Sequence, residues 1–204
     1  MIKIVDYGLG NVSAFINMYK RMNIPVLPAK TAADLEGASK LILPGVGAFD
    51  HAMYLLNRSG MRESLDQMVL VDKTPVIGIC VGMQILANGS DEGTSNGLGW
   101  VPGHVRSFSS AEKSANLPLP HMGWNDVRAQ LDDRLFDGIA DSMRFYFLHS
   151  YYFKCENSAD SIAEAEYGIN FSCVVRHENV YGIQCHPEKS HHFGADLLRN
   201  FARI

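Results

Sequence analysis

"TPVIGICVGMQIL", residues 74–86, changes character in the middle. Its first half, an apolar run through Ile79, has the composition of a strand buried on both faces. Its second half, roughly Val81 to Ala87, has the spacing of a helix. Cys80 sits at the join, with Gly78 and Gly82 two positions to either side. Gly-x-Cys-x-Gly is the cysteine counterpart of the G-x-S-x-G elbow, in which a sharp strand-to-helix turn exposes a nucleophile. Glycines are required there because the turn crowds neighbouring backbone. The helix start would aim its free N–H groups and its positive dipole end at the sulfur, a setting that favours thiolate. The Val81 N–H would then face a developing oxyanion. On this stretch alone a buried structural cysteine is an open alternative, because a free Cys packs as a small hydrophobe.

Outward from the elbow, strand and helix patterns alternate. "IKIV" (2–5) reads as a strand ending in the turn-like "DYGLGN", after which Ser13 is predicted to cap a helix over 13–22. "IPVL" (24–27) reads as a short strand, "KLILPGVGAF" (40–49) as a strand entering a glycine loop, and 50–70 as helical. This alternation predicts an α/β fold: a doubly wound, mostly parallel sheet flanked by helices. The second half is β-rich, in "LGWVPGHV", "GWNDV", "MRFYFLHSYYF", "SIAEAEY" and "FSCVVRHENVYGIQC", with a hairpin turn at "HEN" (177–179). It predicts an antiparallel β extension of the same sheet. The Ser/Pro-rich stretch 107–120 is expected to be an exposed loop, and "SHHFGADLLRNFARI" a closing helix opened by His191 and His192.

With 204 residues, 47% of them hydrophobic, one globular domain over 1–204 is expected. Lys+Arg 18 against Asp+Glu 22 gives a net charge of -4 with no basic cluster, so neither nucleic acid nor an anionic membrane is an expected partner. The apolar stretch at the start, before Asp6, is too short for a signal peptide core, and the longest apolar-rich run, 76–87, is well short of a membrane span and contains Gln84. The cysteines (80, 155, 173, 185) lack the spacing of a disulfide framework or a zinc ribbon. Reduced thiols and a cytoplasmic location are expected.

"VYGIQCHPEKS" (180–190) supplies partners for Cys80. A strand is expected to end at Cys185. With the chain extended before Pro187, His186 and Glu188 point the same way, and the carboxylate can orient the imidazole as a general base. Cys80, His186 and Glu188 together form a candidate triad. A metal site of Cys185, His186, Glu188, His191 and His192 matches none of the usual zinc spacings, so no metal is expected. An exposed His-Pro turn is the other alternative. In "PGVGAF" (44–49) the glycines at 45 and 47 allow main-chain N–H groups to approach a ligand, as a second oxyanion donor or as a plain turn. No phosphate or dinucleotide loop is complete, and no cofactor is expected.

In order and spacing, "DYGLGN", "LPGVGAF", "GICVGMQ", "PHMGWN", "FYFLHSYY" and "YGIQCHPEKS" resemble the class I glutamine amidotransferases, and within them the glutaminase subunits of imidazole glycerol phosphate synthase. The resemblance covers almost the whole chain. It implies that Cys80 attacks the side-chain amide of glutamine, with His186 and Glu188 completing the triad. It implies oxyanion and substrate roles for Val46, Gly47, Val81, Gln84, Glu92, Ser150 and Tyr151. It also implies a heterodimer in which ammonia passes to a TIM-barrel cyclase subunit in histidine biosynthesis, with Trp124, Tyr146 and Lys189 towards that partner. As bland alternatives, Trp124 and Tyr146 are core aromatics and Lys189 a solvated charge. Cys185 stands where the family commonly has Phe. The loop at 107–120 and the ending "KSHHFGADLLRNFA" resemble a side branch linked to surface polysaccharides, so a sugar amidotransferase is an alternative acceptor. A cysteine peptidase or a stress protein on the same scaffold is a further alternative, which Gln84 and Glu92 speak against.

Overall fold

The computed structural model describes residues 1–111, 117–130, 132–139 and 142–204. The first strands and helices are β1 (Ile2–Val5), α1 (Val12–Arg21), β2 (Val26–Ala29), β3 (Lys40–Gly45), α2 (Phe49–Arg58) and α3 (Arg62–Asp66). The elbow region follows as β4 (Val76–Cys80), α4 (Val81–Gln84), β5 (Gly89–Ser90) and β6 (Gly103–Ser107). The rest is β7 (His121–Ala129), β8 (Met143–His149), β9 (Tyr151–Cys155), β10 (Ser161–Tyr167), β11 (Ile169–His177), β12 (Val180–Ile183) and α5 (His191–Arg203).

The sheet runs in the order β2-β1-β3-β4-β12-β11-β10-β7-β8. Its first part, from β2 to β12, is parallel, and from β12 onward every neighbour is antiparallel. The doubly wound sheet and its antiparallel extension are therefore both present. The chain steps one way along the sheet from β1 to β2 and the other way from β3 to β4. Right-handed crossovers then place α1 and α2 on opposite faces. α5 joins α1, and the Tyr19 hydroxyl donates to the Leu198 carbonyl at 3.1 Å. Branched apolar side chains fill β3, β4 and β12, which are buried along almost their whole length.

What this topology does for function is visible at the carboxyl edge. β3, β4 and β12 are neighbours, with Gly45 paired to Cys80 and Ile183 to Ile79. The glycine loop, the elbow and the segment 184–188 all leave the sheet side by side, where open α/β sheets bind their ligands.

Several elements depart from expectation. Asn11, not Ser13, caps α1, its Oδ1 accepting from the Ala14 N–H at 3.1 Å. The 50–70 helix is broken after Arg58, where Gly60 (φ 73°) reverses the chain and the Ser59 hydroxyl takes the Leu56 carbonyl at 2.7 Å. The helix expected over 81–87 stops at Gln84 because its last turn tightens, the Leu86 N–H donating to the Met83 carbonyl at 3.0 Å and the Ala87 N–H to the Gln84 carbonyl at 3.1 Å, and the carbonyls that follow are taken from outside. Leu98 donates to Ile85 at 2.8 Å and Val101 to Leu86 at 3.1 Å. "MRFYFLHSYYF" divides at Ser150 into β8 and β9, and β12 ends at Ile183 rather than Cys185. Within the expected exposed loop, Phe108 is fully buried against the rings of Tyr152, Tyr167 and Phe171, while 112–116 lie outside the described residues. Among the described residues no helix is long and apolar enough to cross a membrane.

Candidate active site

Cys80 ends β4 and starts α4 with φ 57° and ψ -115°, a conformation that costs a non-glycine residue about 1–3 kcal/mol. The surrounding backbone enforces it. A Cβ on Gly78 would lie 2.4 Å from the Gly82 carbonyl oxygen, one on Gly82 1.9 Å from that of Leu43, and one on Gly45 2.4 Å from the Gly82 nitrogen. β3, β4 and α4 thus meet with no space for a methyl group. The "DYGLGN" turn supports the same point from outside. The Tyr7 hydroxyl donates to the Pro44 carbonyl at 2.9 Å, and a Cβ on Gly10 would lie 2.7 Å from Pro44 Cβ. Burial, with a smaller contribution from the nearby Cys80, raises the Tyr7 phenol far above its ordinary range.

His186 and Glu188 meet as expected, by a different backbone route. Pro187–Lys189 forms a 3-10 turn rather than an extended run, and across it Glu188 Oε1 lies 2.8 Å from His186 Nδ1. A carboxylate at Nδ1 keeps the proton on that nitrogen and leaves Nε2 to exchange one. Nε2 is buried and makes no hydrogen bond among the described residues, while the Cys80 thiol is near enough to influence the ring's charge. Burial works against the charged ring, but Cys80 and Glu188 outweigh it and raise the His186 pKa to about 10. The pair is thus set to rest with the imidazole charged.

Ser190, buried behind the turn, fixes this loop. Its hydroxyl donates to the His186 carbonyl at 2.6 Å and accepts from the Tyr146 N–H at 3.0 Å, while the His186 N–H donates to the Tyr146 carbonyl at 2.8 Å. His186 is therefore tied to β8.

Val46, Gly47, Cys80, Val81, Gln84, Glu92, Ser150, Tyr151 and His186 all line one cavity of about 280 Å³. Glu188 stands behind His186, outside the lining. Pro120, Leu148 and His149 complete the wall. Val46 is exposed at the mouth, and Gly47 adopts φ 94°, open to glycine and strained for other residues. Gln84 Nε2 donates to Gln184 Oε1 at 3.1 Å and, more weakly, to the Tyr151 carbonyl at 3.4 Å. Gln184 Nε2 in turn lies 4.0 Å from Cys80 Sγ. Glu92 Oε2 accepts the Phe49 N–H at 2.9 Å, and Asp50 returns the link by accepting the Thr94 and Ser95 N–H groups, each at 3.0 Å. These bonds fasten the Glu92 loop to the end of the glycine loop.

Trp124, Tyr146 and Lys189 form a separate surface. Trp124 and Tyr146 meet edge-on at 6.3 Å, Lys189 Nζ lies 5.4 Å from the Tyr146 ring centre, and Trp124 stacks on His191 at 5.2 Å. Trp124 is 41% exposed and its neighbour Met122 65% exposed, so Trp124 is no core residue. Lys189 is exposed, as a solvated charge would be, with its Nζ over the face of the Tyr146 ring. No group of three or more His, Cys, Asp or Glu side chains is placed to hold a metal among the described residues. His191 opens α5, as expected.

Gln184, Ser190, His149 and Asp50 were not singled out from the sequence. Gln184 had a signal, as a polar side chain inside an apolar strand end, and the paired His121 and His149 had one in their nearly apolar surroundings. Ser190 and Asp50 resemble ordinary cap residues until the fold brings their partners.

Residues 3–204 match the family model described as glutamine amidotransferase class-I. The chain is 61% identical to an imidazole glycerol phosphate synthase subunit HisH of Bdellovibrio bacteriovorus, over 100% of both chains. It is 49% identical to one of Leptospira interrogans and 42% identical to a HisH 2 of Pseudomonas aeruginosa, again over 100% of each. Among solved structures, a glutamine amidotransferase superposes with a TM-score of 0.77 at 19% identity, covering 100% of this chain and 99% of that one. PurLQS from Thermotoga maritima gives 0.71 at 16% identity, covering 99% and 97%. At these identities the two structures establish the fold. With a family match over almost its whole length, and a cysteine elbow and a His-Glu pair sharing one edge of that fold, the chain belongs to the class I glutamine amidotransferases.

Proposed function

We propose that this chain is the glutaminase subunit of imidazole glycerol phosphate synthase, acting in the cytoplasm as half of a heterodimer with a TIM-barrel cyclase. Glutamine enters the cavity with its side-chain amide at Cys80. The thiolate attacks the amide carbon, and the oxyanion is held by the N–H of Val81 and by the Val46–Gly47 backbone. His186, oriented by Glu188, gives its proton to the departing nitrogen, which leaves as ammonia. Water then attacks the glutamyl thioester with His186 as base, releasing glutamate and restoring the thiol. Gln84, Ser150 and Tyr151 hold the substrate's polar groups, and a carboxylate at Glu92 suits its α-ammonium. Ammonia passes to the partner, docked on the face of Trp124, Tyr146 and Lys189.

The observation that carries this reading is the convergence of Cys80, His186 and the expected substrate residues on one cavity of about 280 Å³, a volume suited to a single amino acid. The full-length likeness to subunits named HisH supports the choice of acceptor. Glutamine hydrolysis measured with and without the purified cyclase tests it. Strong stimulation by the cyclase is expected. No stimulation would remove the histidine-pathway assignment, and stimulation by a sugar-modifying synthase instead would establish the alternative acceptor.

A further inference from the structure

Two histidines face the cavity, and the proposed chemistry uses only one. His149, at the end of β8, pairs across the strands with His121, at the start of β7. Both are buried, and their rings meet with His121 Nδ1 at 2.9 Å from His149 Nε2. His149 Nδ1 lies 2.7 Å from the Tyr151 carbonyl, and His121 Nε2 lies 3.2 Å from Asn125 Nδ2.

The direction of every bond in this chain is fixed. A backbone carbonyl only accepts, so His149 must carry its proton on Nδ1. Its Nε2 is then an acceptor and His121 must donate from Nδ1. His121 Nε2 is left to accept from the Asn125 amide. Asn125 cannot turn over to reverse this, because its Nδ2 also donates to the Glu166 carbonyl at 2.8 Å and its Oδ1 accepts the Asp126 N–H at 2.8 Å. A second proton on either ring would set donor against donor. Stacking on Phe147 at 5.1 Å and on Tyr167 at 4.2 Å holds the His121 plane. His149 is held edge-on by Phe108 at 5.3 Å and lies against Phe171 at 5.2 Å.

The chain ends in the site. The His149–Tyr151 bond closes a tight turn around Ser150. The same Tyr151 carbonyl receives Gln84, which leads through Gln184 to the Cys80 sulfur. We propose that His149, backed by His121 and Asn125, is a positioning residue: a neutral imidazole pair whose one-way hydrogen-bond chain sets the Ser150–Tyr151 backbone against the cavity. Neutrality also reserves proton transfer for His186, the charged ring that acts on His149 from across the cavity. Burial pulls the pKa of His121 down to about 4 and, with smaller effects from His121 and His186, that of His149 to about 3. Among the described residues, the titratable groups that meet the pair besides each other and His186 include Tyr167, whose ring stacks on His121, and Tyr151, whose carbonyl meets His149.

The proposal rests on the glutamine reading of the cavity, and two measurements separate their failures. In nitrogen-labelled wild-type protein, NMR is expected to find both rings neutral from pH 5.5 to 8 with the proton on Nδ1, the rarer tautomer of free histidine. A proton on Nε2 of either ring, or titration within that range, would overturn the chain of bonds whatever the enzyme does. In the complex with the cyclase, His149→Phe is expected to raise KM for glutamine about tenfold with kcat within about threefold, and His149→Asn, which returns a donor near Nδ1, to restore most of the loss. A Phe variant with unchanged KM, or an Asn variant no better than Phe, would overturn the positioning role. A wild-type complex that does not hydrolyse glutamine would count against the functional reading itself.

Discussion

Glu188 reaches His186 with one oxygen and keeps the other buried without a hydrogen bond among the described residues, so its charge is committed to the imidazole. Glu188→Gln keeps an acceptor for Nδ1 and removes that charge. Its kcat is expected to fall about a hundredfold or more with little change in KM, in steady-state glutaminase kinetics with the cyclase present. A similar fall in binding alone would mean that Glu188 holds the substrate. The three buried histidines also shape stability against pH. His121 and His149 have folded pKa values below the ordinary 6.5, so their neutral forms stabilise the fold fully above pH 6.5 and less as pH falls towards 4. His186, raised to about 10, does the opposite: its contribution is complete below 6.5 and is lost as pH rises towards 10. The melting temperature is expected to decline from pH 6.5 to 5, and the decline to flatten in the double variant His121→Asn, His149→Asn. An acid limb that is the same in both proteins would remove the two rings as its source. At this scale Cys80, His186 and Glu188 were legible because glycines and a proline mark them at strand ends. His149 showed only as a polar residue in apolar surroundings, and its role did not, because its partner His121 is supplied by strand register.

The elbow works because three elements meet at glycines. Gly82→Ala would push a methyl against the Leu43 carbonyl, moving α4 from β3 and shifting the Val81 N–H. It is expected to cost at least about 1–3 kcal/mol in denaturant unfolding and to lower kcat as well. Wild-type stability and rate in that variant would show that α4 has room the geometry denies. Ser190 plays a comparable part between β8 and the histidine turn. Ser190→Ala leaves the Tyr146 N–H without its acceptor, and an expected loss of about 1–3 kcal/mol would appear as a lower melting temperature. The order and type of most elements followed from apolar periodicity and turn residues. Their ends did not. α4 is short because its last turn tightens at Leu86 and Ala87 and residues 97–101 claim the carbonyls beyond, and α2 stops because Ser59 and Gly60 close it, contacts that periodicity does not encode.

Across the whole molecule, the parallel half of the sheet supplies one side of the pocket and the end of β8 with the start of β9 the other, while β7 and β8 of the antiparallel half also carry Trp124 and Tyr146 towards the proposed partner. The link between the halves is short: Tyr146 of β8 holds both the His186 N–H and, through Ser190, the His186 carbonyl. Trp124→Ala is expected to leave the chain's own melting temperature nearly unchanged, since the ring is 41% exposed, while weakening association with the cyclase about tenfold or more by calorimetry. Unchanged affinity would move the interface elsewhere. The central claim, that Cys80 is the nucleophile of a glutaminase, is tested most directly by rapid quenching of the complex with isotope-labelled glutamine. Wild-type protein is expected to carry labelled glutamyl on the peptide containing Cys80 and to release ammonia, and Cys80→Ala to do neither. Ammonia release by Cys80→Ala at the wild-type rate, or label on another residue, would contradict it.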